Sequence, residues 1–121
     1  MELKHPEKKS INDKEMFDEV VQTILSVMGD DVTKIILYGS VARGDNTWES
    51  DVDIAVISKR NWDSKEKHNV YDVIAELNLK YDTLFSIVII DEKRFNKWLF
   101  DLPFYYSIDE EGIVLWKREV A

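Results

Sequence analysis

The sequence predicts an α/β domain in which helices flank a small mixed β-sheet, and three observations support this fold class. Short runs of β-branched and aliphatic residues alternate with longer segments whose apolar residues recur at helical spacing. The connections are short, and no interdomain linker, internal repeat or low-complexity segment divides the 121 residues. Hydrophobic residues make up 45% of the chain, which suffices for a buried core in a single domain spanning 1–121.

The charge balance narrows the classes of function. The net charge of −8 argues against binding of duplex nucleic acid, because such binding relies on a dense Lys/Arg surface. A nucleotide that carries magnesium remains compatible, since the metal supplies positive charge. The chain lacks cysteine and therefore thiolate metal sites. It has neither a signal-peptide pattern nor an apolar run of membrane-spanning length, so we expect a cytoplasmic protein without membrane contact.

The first predicted elements are a helix and a strand. Residues 1–10 are polar and rich in lysine, and we expect them to be loosely ordered. Asn12 followed by Glu15 is a capping-box pattern that predicts a helix start, and Gly29 predicts its end. The apolar positions between them predict a core-facing side: Met16, Phe17, Val20, Val21, Ile24, Leu25 and Met28. A strand is predicted at Val32–Tyr38, whose apolar end leaves no solvated face.

The remaining elements follow in alternation. Asp63 with Glu66 forms a second capping box, which predicts a helix to about residue 80 with Val70, Val73, Ile74 and Leu77 inward. Further strands are predicted at 52–58, 83–90 and 113–116, and further helical turns at 40–44, 91–99 and 104–108.

The turn after the first strand is the first half of a candidate site. Gly39 permits close backbone approach or a positive φ, and the Ser40 hydroxyl can donate to a phosphate oxygen. The start of the following helical turn adds a field that favours an anion. Arg43 is close enough in sequence to add a charge-assisted contact. The turn therefore predicts a phosphate site.

Two carboxylates at the start of the second strand form the other half. Asp51 and Asp53 point to the same side, because side chains alternate along a strand. Two like charges there are costly unless they are neutralised, and a divalent metal with hard oxygen ligands is the usual solution. A metal beside a phosphate site is expected for phosphoryl or nucleotidyl transfer. The glycine spacing from Gly39 to Gly44 matches a P-loop, but Asp45 follows where lysine is required, which excludes one.

The stretch from residue 39 to residue 57 resembles the signature of minimal nucleotidyltransferases, small members of the DNA polymerase beta-like superfamily. Their pattern is Gly-Ser, then Ala-Arg-Gly, then Ser-Asp-x-Asp followed by apolar residues. The matching positions are Gly39, Ser40, Ala42, Arg43, Gly44, Ser50, Asp51 and Asp53. The resemblance implies the nucleotidyltransferase fold and attack of an acceptor hydroxyl on the α-phosphate of a nucleoside triphosphate, with ATP as the expected nucleotide and pyrophosphate released.

The resemblance also implies site roles. Nucleotide binding is expected at Gly39, Ser40, Arg43 and Ser50. Asp51 and Asp53 would bind Mg2+ and act in catalysis. Active members generally carry a third carboxylate on a later strand, which helps to bind a second metal and can take the acceptor's proton. Ser86 stands at that position and is a poor substitute, while Asp82 lies about 13 Å along the strand and Asp91 has the opposite side-chain parity.

The sequence is compatible with three functions. The favoured one is an active enzyme that transfers a nucleotide to a hydroxyl of a protein or a small molecule. The second is a catalytically degenerate member that binds a nucleotide or a partner and acts as an antitoxin, because Ser86 replaces the acid. The third is a structural α/β module in which the motif is a relic.

Aromatic residues concentrate near the carboxyl end and suggest an interface. The apolar residues in question are Phe95, Trp98, Leu99, Phe100, Phe104, Tyr105, Tyr106 and Trp116. A small domain can bury only some of them, and Tyr and Trp are favoured at protein interfaces. Minimal nucleotidyltransferases are commonly paired with a small helical HEPN-type protein, often as antitoxin and toxin. We therefore expect part of this surface to bind such a partner or, in a homo-oligomer, a second copy.

Overall fold

The computed structural model describes residues 13–119, so the segment 1–10 lies outside the described part. The helices in this range are α1 (Lys14–Met28), α2 (Gly39–Arg43), α3 (Ser64–Tyr81), α4 (Glu92–Trp98) and α5 (Pro103–Glu111). The strands are β1 (Val32–Tyr38), β2 (Val52–Ser58), β3 (Phe85–Asp91) and β4 (Ile113–Lys117). A 3-10 turn at Gly29–Asp31 joins α1 to β1. No helix within residues 13–119 combines the length and the apolar character that crossing a bilayer requires.

The strands form one mixed sheet in the order β3-β2-β1-β4. β1 pairs antiparallel with both β2 and β4, whereas β2 and β3 are parallel. A parallel pair needs a crossover connection, and α3 provides it between β2 and β3. The predicted fold class, a small mixed sheet flanked by helices, is confirmed.

Helices cover both faces of the sheet. The larger core lies between the sheet and the helices α1 and α3, and its members include Phe17, Val20, Ile24, Ile35, Leu37, Ile54, Val56, Val70, Ile74 and Leu77. The smaller core joins α4 and α5 to the opposite face through Ile36, Ala55, Ile57, Ile90, Phe95, Tyr105 and Ile108. Because side chains alternate along β2, Asp53 shares the second face with Ala55 and Ile57. The candidate carboxylates therefore belong to the α4/α5 face.

The helix ends follow the predicted capping patterns where the structure describes them. The Glu66 N–H donates to Asp63 Oδ1 at 2.8 Å, and the Asp63 N–H donates to Glu66 Oε1 at 3.1 Å. This reciprocal pair is the predicted capping box of α3. Gly29, with φ +56°, ends α1 as predicted. The box predicted at Asn12 falls outside the described residues, in which Asp13 precedes the first helical residue.

The third strand and the last helix differ from their predicted bounds. β3 begins at Phe85 rather than at Thr83, because α3 continues to Tyr81 and Asp82 turns the chain with φ +47°. The Thr83 N–H donates to the Asn78 carbonyl at 3.1 Å, so Thr83 belongs to the turn. The helical turn predicted at 104–108 is a nine-residue helix, α5, which begins with proline.

Candidate active site

Three side chains lie in a row across the sheet at the carboxyl end of β1. Tyr38, the last residue of β1, is the antiparallel partner of Asp53. Ser86 is the parallel partner of Asp53 on the other side. Directly paired residues on neighbouring strands share a face and lie about 5 Å apart. Asp53 is therefore flanked by a tyrosine and a serine, with its carboxylate on the face that α4 and α5 cover.

The environment of Asp53 disfavours its charge. Partial burial raises the pKa of the Asp53 carboxyl, and the negative charge of Asp51 raises it further. Arg43 acts in the opposite sense and lowers it. Asp51 is exposed and precedes β2 by one residue. Since a bound cation would favour both charged forms, this is the electrostatic pattern expected of a pair that binds a metal.

Gly39 connects the turn to the carboxylate. Its φ of +78° is in the left-handed region that favours glycine. A Cβ atom at this position would overlap Asp53 Oδ2. The backbone of the Gly39–Ser40 turn therefore packs directly against Asp53, and the two halves of the predicted site adjoin.

Arg43 closes α2 and forms two ion pairs. Its Nε donates to Asp45 Oδ2 at 3.1 Å, and its Nη1 donates to Glu111 Oε2 at 3.2 Å. The hydrogen bonds to Asp45 and Glu111 raise the pKa of Arg43, which is fully charged in any case. Gly44 follows with φ +80° and ends the helix in the left-handed conformation. The structure thus places Arg43 near Asp53 but already bound to two carboxylates.

Ser50 closes the loop that leads into β2. Its hydroxyl accepts the Thr47 N–H at 2.9 Å, and its own N–H donates to the Thr47 carbonyl at 3.1 Å. These contacts fix the residue that precedes Asp51. The geometry gives Ser50 a structural role in the loop, and its expected contact with a nucleotide stays a prediction.

The position opposite Asp53 carries the hydroxyl of Ser86, and neither Asp82 nor Asp91 lies beside it. Ser86 is exposed. Asp82 ends α3 before the strand begins, and Asp91 pairs with Ser58 at the far end of the sheet. Within residues 13–119 no three His, Cys, Asp or Glu side chains form a group that could hold a metal ion. Asp51 and Asp53 nevertheless fit one Mg2+, which commonly binds through one or two carboxylates plus substrate phosphates.

Tyr38 and Phe104 border the site, and neither was predicted to be a site residue from the sequence. Burial first, and then the charge of Asp53, raise the pKa of Tyr38 to about 12, so its hydroxyl is neutral at physiological pH. The Phe104 ring packs edge-on against Tyr38 with centroids 5.7 Å apart. The sequence signal for Tyr38 was its place at the strand end beside Gly39. Phe104 had none, because its contact depends on how α5 docks.

The aromatic segment divides into buried and exposed members. Phe95 and Tyr105 are buried in the smaller core. Four rings remain exposed and constitute what we call the aromatic surface: Trp98, Phe100, Phe104 and Tyr106. Phe100 is 82% exposed and contacts the Tyr106 ring at a centroid distance of 6.4 Å. Through Phe104 and Tyr38 this surface is continuous with the candidate site.

Comparisons of the sequence identify relatives. The family described as "Polymerase beta, Nucleotidyltransferase" matches residues 19–120 of this chain. Two relatives from Methanocaldococcus jannaschii are named as proposed protein adenylyltransferases. One is 35% identical over 106 residues, covering 88% of this chain and 100% of the relative. The other is 37% identical over 75 residues, covering 62% of this chain and 76% of the relative.

Comparisons of the structure find the same fold. A proposed nucleotidyltransferase from Sulfolobus solfataricus superimposes with a TM-score of 0.59 at 18% identity, over 89% of this chain and 83% of that one. A complex of a tri-AMPylated HEPN toxin with an MNT antitoxin from Shewanella oneidensis gives a TM-score of 0.55 at 15% identity, over 87% and 72%. A toxin–antitoxin structure with AMP-PNP gives 0.56 at 18% identity, over 88% and 75%.

The sequence matches decide the family, and the structural likeness agrees in fold. The family match extends over most of the chain, from before β1 to the end of the described residues. The first of the two relatives is covered along its whole length. This chain belongs to the polymerase beta-type nucleotidyltransferase family.

Proposed function

We propose that this protein transfers an adenylyl group from ATP to a hydroxyl of a partner protein. One observation carries the proposal: the backbone of the Gly39–Ser40 turn packs against the Asp53 carboxylate, so that a phosphate at the turn and a cation at Asp53 would touch. The relatives named as proposed protein adenylyltransferases support the choice of nucleotide and acceptor. The structural neighbour that contains an AMPylated toxin supports the same choice.

Each residue of the site has a role in this proposal. Asp51 and Asp53 would hold Mg2+, which would supply positive charge to the triphosphate. The Gly39 backbone and the Ser40 hydroxyl bind phosphate oxygens, and Arg43 adds a charge-assisted contact. The bond between the acceptor oxygen and the α-phosphorus forms as the bond to the β-phosphate breaks, and pyrophosphate leaves. Ser86 cannot take the acceptor's proton near neutral pH, so that proton passes to water.

The test combines a labelled nucleotide with partner identification. The protein is purified from its native host with any bound partner, and the partner's mass is analysed for an added adenylyl group. The purified pair is then incubated with labelled ATP and Mg2+. We expect label in the partner with the wild-type chain, and a loss of about a hundredfold or more with Asp53→Asn, because a metal ligand is removed.

The double variant decides the site assignment. Asp51→Asn combined with Asp53→Asn removes both carboxylates while keeping side-chain size. Transfer that survives in this variant would show that the catalytic site lies elsewhere. Lack of ATP binding in the wild type, with or without Mg2+, would instead favour the structural module.

A second function is favoured by the residue opposite Asp53. Ser86 occupies the position at which active relatives are expected to carry a carboxylate. A chain that binds a nucleotide and a partner without turnover would then act as an antitoxin by binding alone. Binding of AMP-PNP without label transfer, under conditions in which the partner is folded and present, distinguishes this function from the first.

The partner is proposed to bind the aromatic surface. Exposed rings at Phe100, Phe104 and Tyr106 are the kind of side chains that dominate protein interfaces. The structural neighbours solved as toxin–antitoxin complexes support a HEPN-type protein as that partner. A second copy of this chain is the alternative occupant. The mass of the native complex separates these two partners.

A further inference from the structure

The ion pairs of Arg43 come from two different parts of the fold. Asp45 lies two residues beyond Arg43 in the loop after α2, so this contact is local in the sequence. Glu111 is the last residue of α5, 68 residues further along the chain, and contacts Arg43 only through the tertiary fold. The Arg43 and Glu111 side chains are 43% and 42% exposed. The pair is therefore open to a ligand that approaches from solvent.

The fold holds Glu111 in place. The next residue, Gly112, begins the connection to β4, and its N–H donates to the Ile108 carbonyl at 3.0 Å. A Cβ atom on Gly112 would overlap the Ile108 carbonyl oxygen and Ile36 Cγ2. The end of α5 is thus packed closely against β1. The position of the Glu111 carboxylate beside Arg43 is a property of this packing.

Two carboxylates around one guanidinium leave a net negative charge where a phosphate is expected. Arg43 spends one N–H on each of Asp45 and Glu111. An anionic ligand must therefore share Arg43 or displace a carboxylate, and it is repelled by both acids. Exposed ion pairs are weak and screened by salt, so displacement is feasible. Of the two acids, Asp45 lies in the loop after α2, within residues 39–57. Glu111 lies outside that stretch, so a substitution can remove its charge without altering the loop.

We propose that Glu111 competes with the nucleotide's phosphates for Arg43 and so weakens nucleotide binding. This inference rests on the proposed function, because it requires a nucleotide at the Gly39–Ser40 turn. Glu111→Gln keeps the size of the side chain and removes its charge. The variant binds AMP-PNP with Mg2+ about two- to fivefold more tightly than the wild type, the range expected for one exposed ion pair. In a transfer assay the change appears in KM, with kcat unchanged.

The chain offers a charge-matched control one residue away. Glu110 is also exposed and near the end of α5, and within residues 13–119 it forms no ion pair with Arg43. Glu110→Gln changes the net charge by the same amount. Calorimetric titration with AMP-PNP and Mg2+ compares the wild type, Glu111→Gln and Glu110→Gln at about 0.1 M and about 1 M salt, where the Debye length falls from about 10 to about 3 Å. The gain is confined to Glu111→Gln and shrinks at high salt.

The outcomes separate this inference from the proposed function. Equal or weaker binding by Glu111→Gln, or an equal gain in Glu110→Gln, overturns the competition and leaves the nucleotide site intact. Lack of binding in all three proteins overturns both. Adding Arg43→Gln completes a double-mutant cycle, and the gain from Glu111→Gln disappears in that background if the two residues act through each other. Thermal unfolding of each variant shows that the fold is retained.

Discussion

The two sides of Asp53 differ in what they require of the sequence. On the β1 side, the Gly39 backbone packs against the carboxylate, and a Cβ atom at this position would overlap Asp53 Oδ2. On the β3 side, Ser86 lies opposite Asp53, exposed, on a strand at the edge of the sheet. The first side is fixed by backbone shape, and the second by a single side chain. In the proposed function, nucleotide binding depends on the first side and turnover on the second, so we expect substitutions to change the two separately.

This difference also concerns folding. A change at Gly39 disturbs the turn, the strand end and Asp53 together, so the residue is constrained by stability as well as by chemistry. Ser86 lies on the α4/α5 face beside Asp53 but is exposed, and an exposed strand position tolerates many side chains at little cost in stability. The side at which we propose that the nucleotide binds is thus constrained by the fold, while the side at which we propose that an acid is missing is not.

The largest expected effect comes from introducing an acid at the second side. Ser86→Asp places a carboxylate opposite Asp53, where it can take the acceptor's proton and contribute to metal binding. We expect transfer from labelled ATP to rise on the order of a hundredfold, the lower part of what a positioned general base contributes. The increase requires Mg2+, because without a cation the third negative charge raises the repulsion around Asp53.

Ser86→Asn is the matched control for that prediction. It has the size of the aspartate variant and no charge, so its transfer rate stays at the wild-type level. The prediction would be contradicted if Ser86→Asp transferred the label at the same rate as the wild type. That result would show that the proton acceptor is supplied by another group, such as one on the bound partner.

A smaller effect is expected when the first side is disturbed. Gly39→Ala introduces a Cβ that overlaps Asp53 Oδ2 and also forces an L-residue to φ +78°. Gly44→Ala also forces an L-residue into the left-handed region, at φ +80°, but an added Cβ would have nothing within 4 Å and so causes no overlap. The difference between the two variants isolates the overlap. In urea unfolding we expect Gly39→Ala to be less stable than Gly44→Ala by about 1–2 kcal/mol, because the aspartate can rotate partly away.

The two glycine variants also differ in function. Gly39→Ala displaces the Asp53 carboxylate and loses AMP-PNP binding, whereas Gly44→Ala retains it. Equal stability and equal binding of the two variants would mean that the contact between the turn and Asp53 is unimportant.

The sequence predicted the strands around the site more accurately than the contacts made by distant segments. β1 and β2 have their predicted bounds. Each is a uniform apolar run with a clear end, because Gly39 and Ser40 follow β1 and Asp51 precedes β2. The start of β3 was wrong by two residues, since the left-handed Asp82 and the turn at Thr83 depend on α3. The ion pair between Arg43 and Glu111 joins residues 68 positions apart, and no local pattern indicates it.

The smallest effect concerns the charge of Asp53 itself. Burial and the neighbouring Asp51 raise its pKa above the ordinary value, so the folded state binds this proton more tightly than the unfolded state does. The charged form therefore costs stability at every pH above the folded pKa, and the cost disappears below the unfolded value of about 3.9. Asp53→Asn removes the charge, and in the absence of metal we expect it to raise Tm at pH 7, by less than the Gly39 effect.

The pH profile distinguishes this explanation from a packing effect. The gain in Tm from Asp53→Asn shrinks as the pH falls and vanishes below about pH 3, where the wild-type carboxyl is protonated in both states. Asp72→Asn, which removes an exposed carboxylate on α3, serves as the charge-matched control. Millimolar Mg2+ with AMP-PNP reverses the order at pH 7, because only the wild type gains from binding. A stability gain that is independent of pH would place its cause in packing, and the electrostatic account of Asp53 would then be wrong.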